Sequence, residues 1–388
     1  MFKYNSLLIG FMSIVFVFNP MLIGVGLCEE PEVQTPQKVL KLSVINKDSQ
    51  PADLLEIIEH DWEINFEADT TKQEKLLMNA VLGHIIQAAD LIIANPNADG
   101  KTAVVAVRNK MQALGVLSRT GNTKAALQAV AMAQELQHDK RPLVAREGKL
   151  IVHSNRLSEI PRMNQQQRTA FVSDLIALFS EGKITEREIQ IAKITGHLFE
   201  QVKQYQSAQH IFQETAELLS KTKSPELKQT ATEFFGAARR MGLPGRPMKL
   251  TGKTLAGEDF DVKDLKGKVV LVQFWASWCN FCLQEMPNIM KQYHLYHDQG
   301  FEVIGVSMDD SADRAREIVD DMQLPWPQLF STKIDALGIK NPNAVYYGVS
   351  SIPLCILIDQ KGNVVSLKAE GKILNQELER LFIESKSK

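Results

Sequence analysis

The chain has 388 residues, with 44 basic side chains against 46 acidic ones and a formal net charge of −2. That balance leaves no basic excess for nucleic acid or an anionic membrane surface to recognise. A length of this order fits two domains, and 44% hydrophobic with 23% charged residues is a globular composition with apolar material for a core.

Residues 1–26 read as a targeting segment. Lys3 supplies the positive start, residues 7–18 are apolar apart from Gly10 and Ser13, and Gly24-Val25-Gly26 offers small residues for cleavage. A secretory signal removed after export fits these flanks. Two alternatives stay open: an uncleaved anchor over residues 6–27, interrupted by Asn19-Pro20, and lipidation of Cys28, which the bulky Leu27 disfavours. All three deliver the mature chain to the periplasm or cell envelope, where disulfides persist. Membrane contact is then confined to the N-terminal segment, where that segment is kept.

Residues 27–51 are polar, with Pro31, Pro36 and Pro51, and read as a tether. Residues 52–241 are expected to form an α-helical domain. Residues 75–94 carry apolar side chains at helical spacing and stop at Asn95-Pro96. Residues 103–117 and 125–136 flank the turn Thr120-Gly121-Asn122. Residues 189–202 and 207–219 repeat the arrangement around Gln204-Tyr205, and residues 226–240 close the region. These hairpins resemble tetratricopeptide-type pairs, without a strict repeat period. They serve either as a docking surface or as a plain packed helical domain.

Residues 242–247 hold two prolines and two glycines, which end any helix and mark a linker. Beyond them, residues 248–388 change from helical to alternating periodicity. Strands are expected at 248–250, 259–262, 269–275, 301–308, 354–358 and 364–368, and helices at 279–297, 311–322 and 375–384. That order implies an α/β fold, a mixed sheet with helices on both faces.

The four cysteines, Cys28, Cys279, Cys282 and Cys355, are too sparse for a disulfide-stapled scaffold. Cys279 and Cys282 form one C-x-x-C where a buried strand turns into a helix. Cys279 falls at the helix N-terminus, where free N–H groups and the macrodipole stabilise a thiolate. Cys282 lies one turn later on the same face, within bonding reach. It leads an apolar stripe of Met286, Ile289 and Tyr293, so it is expected to be the more buried sulfur, beside an exposed Cys279. An exposed activated thiolate beside a buried resolving thiol is what disulfide exchange needs.

The run Trp278-Cys279-Asn280-Phe281-Cys282, with Glu285, Pro287 and the later Ser351-Ile352-Pro353-Leu354 and Asp359, is similar to the thioredoxin superfamily. It is most similar to the exported bacterial thioredoxins of the TlpA/ResA type. The resemblance spans about residues 248–382, and residues 309–323 fit that family's helical insertion. It implies a thioredoxin-like fold and dithiol–disulfide exchange with protein substrates, in the reducing direction, coupled to an envelope electron donor or acceptor. Cys279 would attack and Cys282 resolve. Pro353, after a cis peptide bond, would shape the substrate groove beside Trp278, and the backbone of Ile352 would pair with the substrate chain. Glu285 would handle the proton of Cys282.

Three positions depart from the family. Phe281 replaces the proline common before the second cysteine, Gln273 the buried acid of ordinary thioredoxins, and Leu354 the threonine after the cis-proline. Competing readings have specific failings. A zinc site lacks a second cysteine pair, a c-type haem lacks histidine after Cys282, and no cofactor or metal is implied. A peroxiredoxin-like activity would need Pro-x-x-x-Thr-x-x-Cys, and Val272 and Ala276 stand at those places for Cys279. Cys355 reads as a core side chain, and His294 with His297 as a solvated face. A binding protein that uses the helical domain, with the second domain as scaffold, would have no use for the Cys279/Cys282/Glu285/Pro353 set.

Overall fold

The computed structural model describes residues 42–64 and 70–384, so the expected targeting segment and most of the tether lie outside the described residues. Two compact units emerge: Met1–Gln167 with Ser173–Ile191, and Arg168–Val172 with Ala192–Lys388.

The first unit is helical. Its helices are α1 (Pro51–Glu63), α2 (Thr71–Ala94), α3 (Gly100–Arg119), α4 (Thr123–Leu136) and α5 (Pro142–Arg156), followed by much of α6 (Gln165–Ser180) and the start of α7 (Glu186–Gln201). Their starts are written in the sequence. Thr70, Asp99, Asn122 and Asn164 each accept a hydrogen bond from a first-turn amide, and Pro51 and Pro142 sit where a missing N–H costs nothing. The core joins Ile85, Ala88, Ala89 and Ile92 of α2 to Ala103, Ala106 and Val107 of α3, and Leu42 and Ile45 of the tether pack against it. Among the described residues, α2 is the one helix long and apolar enough to cross a membrane, and Val81, Leu82 and Ile85 on it are buried in protein. Gly148 of α5 touches the end of α4: a Cβ there would lie 2.6 Å from the backbone of Leu136 and Gln137. The buried Glu147 is held by Arg108 at 2.9 Å and Arg187 at 2.8 Å.

The second unit opens with the pair α8 (Tyr205–Ser220) and α9 (Pro225–Met241), where Phe212 and Phe234 meet edge to face at 5.5 Å. Then come β1 (Thr251–Lys253), β2 (Asp259–Asp261), β3 (Val269–Trp275), α10 (Asn280–Tyr296), β4 (Phe301–Ser307), α11 (Ala312–Asp321), β5 (Gln328–Leu329), α12 (Pro342–Tyr346), β6 (Leu354–Ile358), β7 (Val364–Ser366) and α13 (Lys372–Glu384). The sheet order is β5-β4-β3-β6-β7, with β3, β4 and β5 parallel and β6 antiparallel to both β3 and β7. Every residue of the central β3 is buried, as a strand covered on both faces must be. This is the thioredoxin-like fold with a mixed sheet.

One strand expectation shifts. The first strand lies at Thr251–Lys253, not 248–250, because the hydroxyl of the buried Tyr347 accepts from Lys249 N–H at 2.8 Å and donates to Lys249 C=O at 3.0 Å. A side chain thus satisfies the backbone that a ladder would otherwise pair. Burial pushes the Tyr347 hydroxyl up to about 12. The short β5 and α12 carry too few residues for periodicity to reveal.

The division of the chain also differs from the expected one. Residues 242–247 are not a free linker. Gly245 N–H donates to Val364 C=O and Val364 N–H to Arg246 C=O, each at 2.9 Å, which lays the stretch along β7. Ala192–Met241, expected with the helical domain, belongs to the unit that carries the sheet. The physical reason is contact at α9. Arg240, 5% exposed, donates to the carbonyls of Tyr347 at 2.9 Å and Gly348 at 2.8 Å. Gly236 packs directly against the backbone of Gly348, and the Arg239 guanidinium lies 4.0 Å from the Tyr346 ring centroid.

Candidate active site

At the end of β3 the Trp275 indole N–H donates to Gln328 Oε1 at 2.8 Å, and the chain turns so that Cys279 N–H reaches Ala276 C=O at 3.0 Å. Cys279 is the N-cap of α10, and its Sγ accepts from Cys282 N–H at 3.2 Å. An N-cap sulfur with a helix amide pointing at it is stabilised as an anion, which is the chemistry the sequence motif implied. The two cysteines form a disulfide with Cα atoms 5.2 Å apart. Cys282 has no exposure. Cys279 has 6%, less than expected, because in the disulfide its sulfur is turned onto the helix start. The exposed surface beside the pair is aromatic: Trp278 is 58% exposed and Phe281 74%.

The Ile352–Pro353 peptide is cis, and both residues are half-buried. Phe274 pairs with Leu354 in the β3–β6 ladder, so Pro353 stands one register position further, at the head of the turn that carries Cys279. Cys355 is a buried free thiol, opposite Gln273. Burial, then the charges of Glu370 and Glu285, push it well above the ordinary thiol range, so it stays a protonated core side chain. His294 and His297 are exposed, with His297 stacked on Tyr293 at 4.4 Å.

Glu285 is half-buried, and its Oε1 accepts from Gly371 N–H at 2.7 Å and Asn288 Nδ2 at 2.9 Å. It therefore braces the start of α13 as well as lying one turn beyond Cys282. Two acids nearby escaped the sequence reading. Glu370 precedes the brace point Gly371 and carried no motif. Asp309, 1% exposed, accepts from Ser277 N–H at 3.0 Å, Ser277 Oγ at 2.6 Å and Ser307 Oγ at 2.9 Å. It locks the turn two residues before Cys279. The run Ser307-Met308-Asp309-Asp310 at the end of a buried strand is the only local signal for it.

Replacing Asp309 by alanine would orphan a buried amide and two hydroxyls. A loss of about 1–3 kcal/mol is expected, with slower attack by Cys279 as its turn loosens. Urea unfolding and single-turnover exchange measure the two effects. Asp309→Asn, which keeps one acceptor oxygen, should fall between. Wild-type values for both variants would remove Asp309 from the site.

Residues 244–367 match the AhpC/TSA family. The chain is 30% identical over 146 residues to thiol-disulfide oxidoreductase ResA of Bacillus cereus, a match covering 38% of this chain and 80% of that protein. It is 36% identical over 131 residues to thioredoxin-like protein YneN of Bacillus subtilis, covering 33% of this chain and 71% of the relative. Among solved structures, the thioredoxin domain of a thiol-disulfide oxidoreductase from Bacteroides vulgatus aligns at 30% identity. That alignment covers 35% of this chain and 96% of the other, with a TM-score of 0.33.

Proposed function

Because the chain belongs to the ResA-type thiol-disulfide oxidoreductases, we propose that it is exported and reduces disulfides of protein substrates in the cell envelope, drawing electrons from an envelope donor. The observation that carries this reading is the Cys279/Cys282 pair at the start of α10, with Cys279 capping the helix and Cys282 fully buried behind it. In the reduced protein the Cys279 thiolate attacks a substrate disulfide. A mixed disulfide forms, and one substrate sulfur leaves as a thiolate. Cys282 then attacks Cys279, the internal disulfide closes, and the second substrate sulfur leaves. The backbone of Ile352 pairs with the substrate chain, and Trp278 and Pro353 border the groove. Residues 6–27 direct export or anchor the chain.

Insulin reduction by the mature protein, driven by an excess of small dithiol, is expected to turn over. The reduction potential of the pair tests direction. A value near the roughly −270 mV of thioredoxin supports a reductase, and one near the roughly −120 mV of DsbA would reverse the assignment. The AhpC/TSA match favours a second reading, a peroxide-consuming enzyme. Val272 and Ala276, where that chemistry needs proline and threonine, count against it. Hydroperoxide consumption without insulin turnover would reinstate it.

A further inference from the structure

The loop that carries Ile352 and Pro353 is short, and its place is set at its two ends. After the loop, Leu354 pairs with Phe274 in the β3–β6 ladder. Before it, Val349 N–H donates to Ala344 C=O at 2.8 Å. Ser350 and Ser351, in between, are exposed. Whatever holds the chain up to Gly348 therefore decides where Ile352 and Pro353 stand beside Cys279.

That end is held by α9, which precedes the sheet in the chain. Gly236 and Gly348 meet backbone to backbone: a Cβ on Gly236 would lie 2.3 Å from Gly348 N, and one on Gly348 2.3 Å from Ala237 N. Gly348 has φ +57°, the left-handed region that glycine enters freely. In that turn the carbonyls of Tyr347 and Gly348 both reach Arg240 Nη1, at 2.9 and 2.8 Å. Arg239 Nη1 donates to the carbonyl just before them, that of Tyr346. Three successive carbonyls thus hang on two arginines of one helix. A cavity of about 20 Å³, lined in part by Phe212, Ala237, Arg240, Gly348 and Ser350, has room for about one water, so the contact is close-packed. Arg240 is 5% exposed. Burying a guanidinium is costly, and an apolar side chain of similar volume would fill the place without that cost. What the guanidinium alone supplies is donors for the loop carbonyls.

We propose that Arg240 is a positioning residue for disulfide exchange, fixing the start of the loop whose Ile352 backbone and Pro353 receive the substrate chain. The proposal rests on the exchange reading above. Arg240 touches neither substrate nor sulfur and acts through the carbonyls of Tyr347 and Gly348. The reactivity of Cys279 is set elsewhere, by the start of α10 and by the turn that Asp309 locks. Releasing the loop should therefore weaken the hold on an extended substrate and leave attack on a small disulfide as it was.

The test compares two disulfides on the reduced full-length protein, well below the melting transition of each variant. Insulin is a polypeptide that must lie along the loop, and a nitrophenyl disulfide reagent is too small to need it. Arg240→Met keeps the length of the side chain and removes its donors. It is expected to raise KM for insulin about 10-fold, the worth of roughly one hydrogen bond. Release of nitrophenyl thiolate should keep its wild-type rate, and the amides of residues 349–352 should exchange hydrogen faster. Arg240→Lys, which keeps the charge but not the planar fork, should fall between, and it carries the test alone if Arg240→Met does not fold. A wild-type KM for insulin in the variants that fold would overturn the proposal. So would equal losses with both disulfides, which mark a general loss of active protein rather than a displaced loop. A wild-type protein that reacts with the reagent but never turns over insulin would instead overturn the exchange reading, and the role of Arg240 with it.

Discussion

A Cys282→Ser protein is expected to become a trap. Cys279 keeps its place at the start of α10, attacks a substrate disulfide and stays joined to the substrate, because nothing remains to displace it. Turnover should fall by roughly 10³-fold or more, as when a covalent nucleophile is removed, while stable mixed disulfides accumulate. Non-reducing electrophoresis of a whole-cell extract and mass spectrometry would locate them on Cys279. Cys279→Ser should lose turnover as fully and capture almost nothing, since Cys282 has no exposure and lies inside the helix rather than at its cap. Cys355→Ala should keep its exchange rate, because that thiol is buried and held protonated. Trapping by Cys279→Ser and none by Cys282→Ser would reverse the roles of the two cysteines.

The second large effect is on stability. Arg240→Ala should destabilise the sheet-bearing unit by about 3–5 kcal/mol, the cost of removing one partner from a buried charged network. The carbonyls of Tyr347 and Gly348 lose their donor. Glu200, 4% exposed, loses one of its cations and keeps only His197 at 3.2 Å and Lys368 at 3.8 Å. The effect should depend on pH. Burial pushes the Glu200 carboxyl up, but the His197 hydrogen bond and the charges of Arg240 and Lys368 outweigh it and hold the group low. A carboxyl lowered in the folded state contributes its full stability above the unfolded value of about 4.5 and loses it as pH falls through the lower folded one. The gap between wild type and Arg240→Ala should therefore narrow in acid. A fragment beginning at residue 248 lacks α9 altogether and should melt lower still, while one beginning at residue 192 should keep the cooperative transition. Equal melting of the two fragments would mean that α9 is no part of this unit's core.

The sequence carried the reactive pair and the central sheet because both rest on local signals. Val269–Trp275 is a continuous apolar run, Cys279 and Cys282 are one helical turn apart, and β6 follows the cis-proline directly. The helices were legible from their apolar spacing, while the capping residues Asp99, Asn122 and Ser224 set the starts one to three residues earlier than that spacing implied. What stayed hidden depends on residues far apart in sequence. Tyr347 displaces the first strand by holding Lys249, 98 residues away. Asp309 reaches Ser277 across 32 residues. The unit boundary was hidden in the same way. Proline and glycine at 242–247 do end a helix, but the amides there pair with β7, and Arg240 just ahead of them is buried against carbonyls more than a hundred residues on. Turn composition reports where a helix stops, not where contacts stop.

The same stretch has a bearing on association. An open sheet edge offers unpaired amides and carbonyls that another extended chain can join, and proteins suppress this with covers and prolines. Here residues 244–247 lie along β7 at one end of the sheet, and Pro244 and Pro247 have no N–H to offer a further strand. At the other end, Thr254 bridges to Leu329 of β5 and Phe330 N–H donates to Lys253 C=O at 3.0 Å. Both margins of the five-stranded sheet are thus occupied by the chain itself. Edge-to-edge stacking of copies, a first step toward aggregation, therefore meets covered margins at both ends of the sheet.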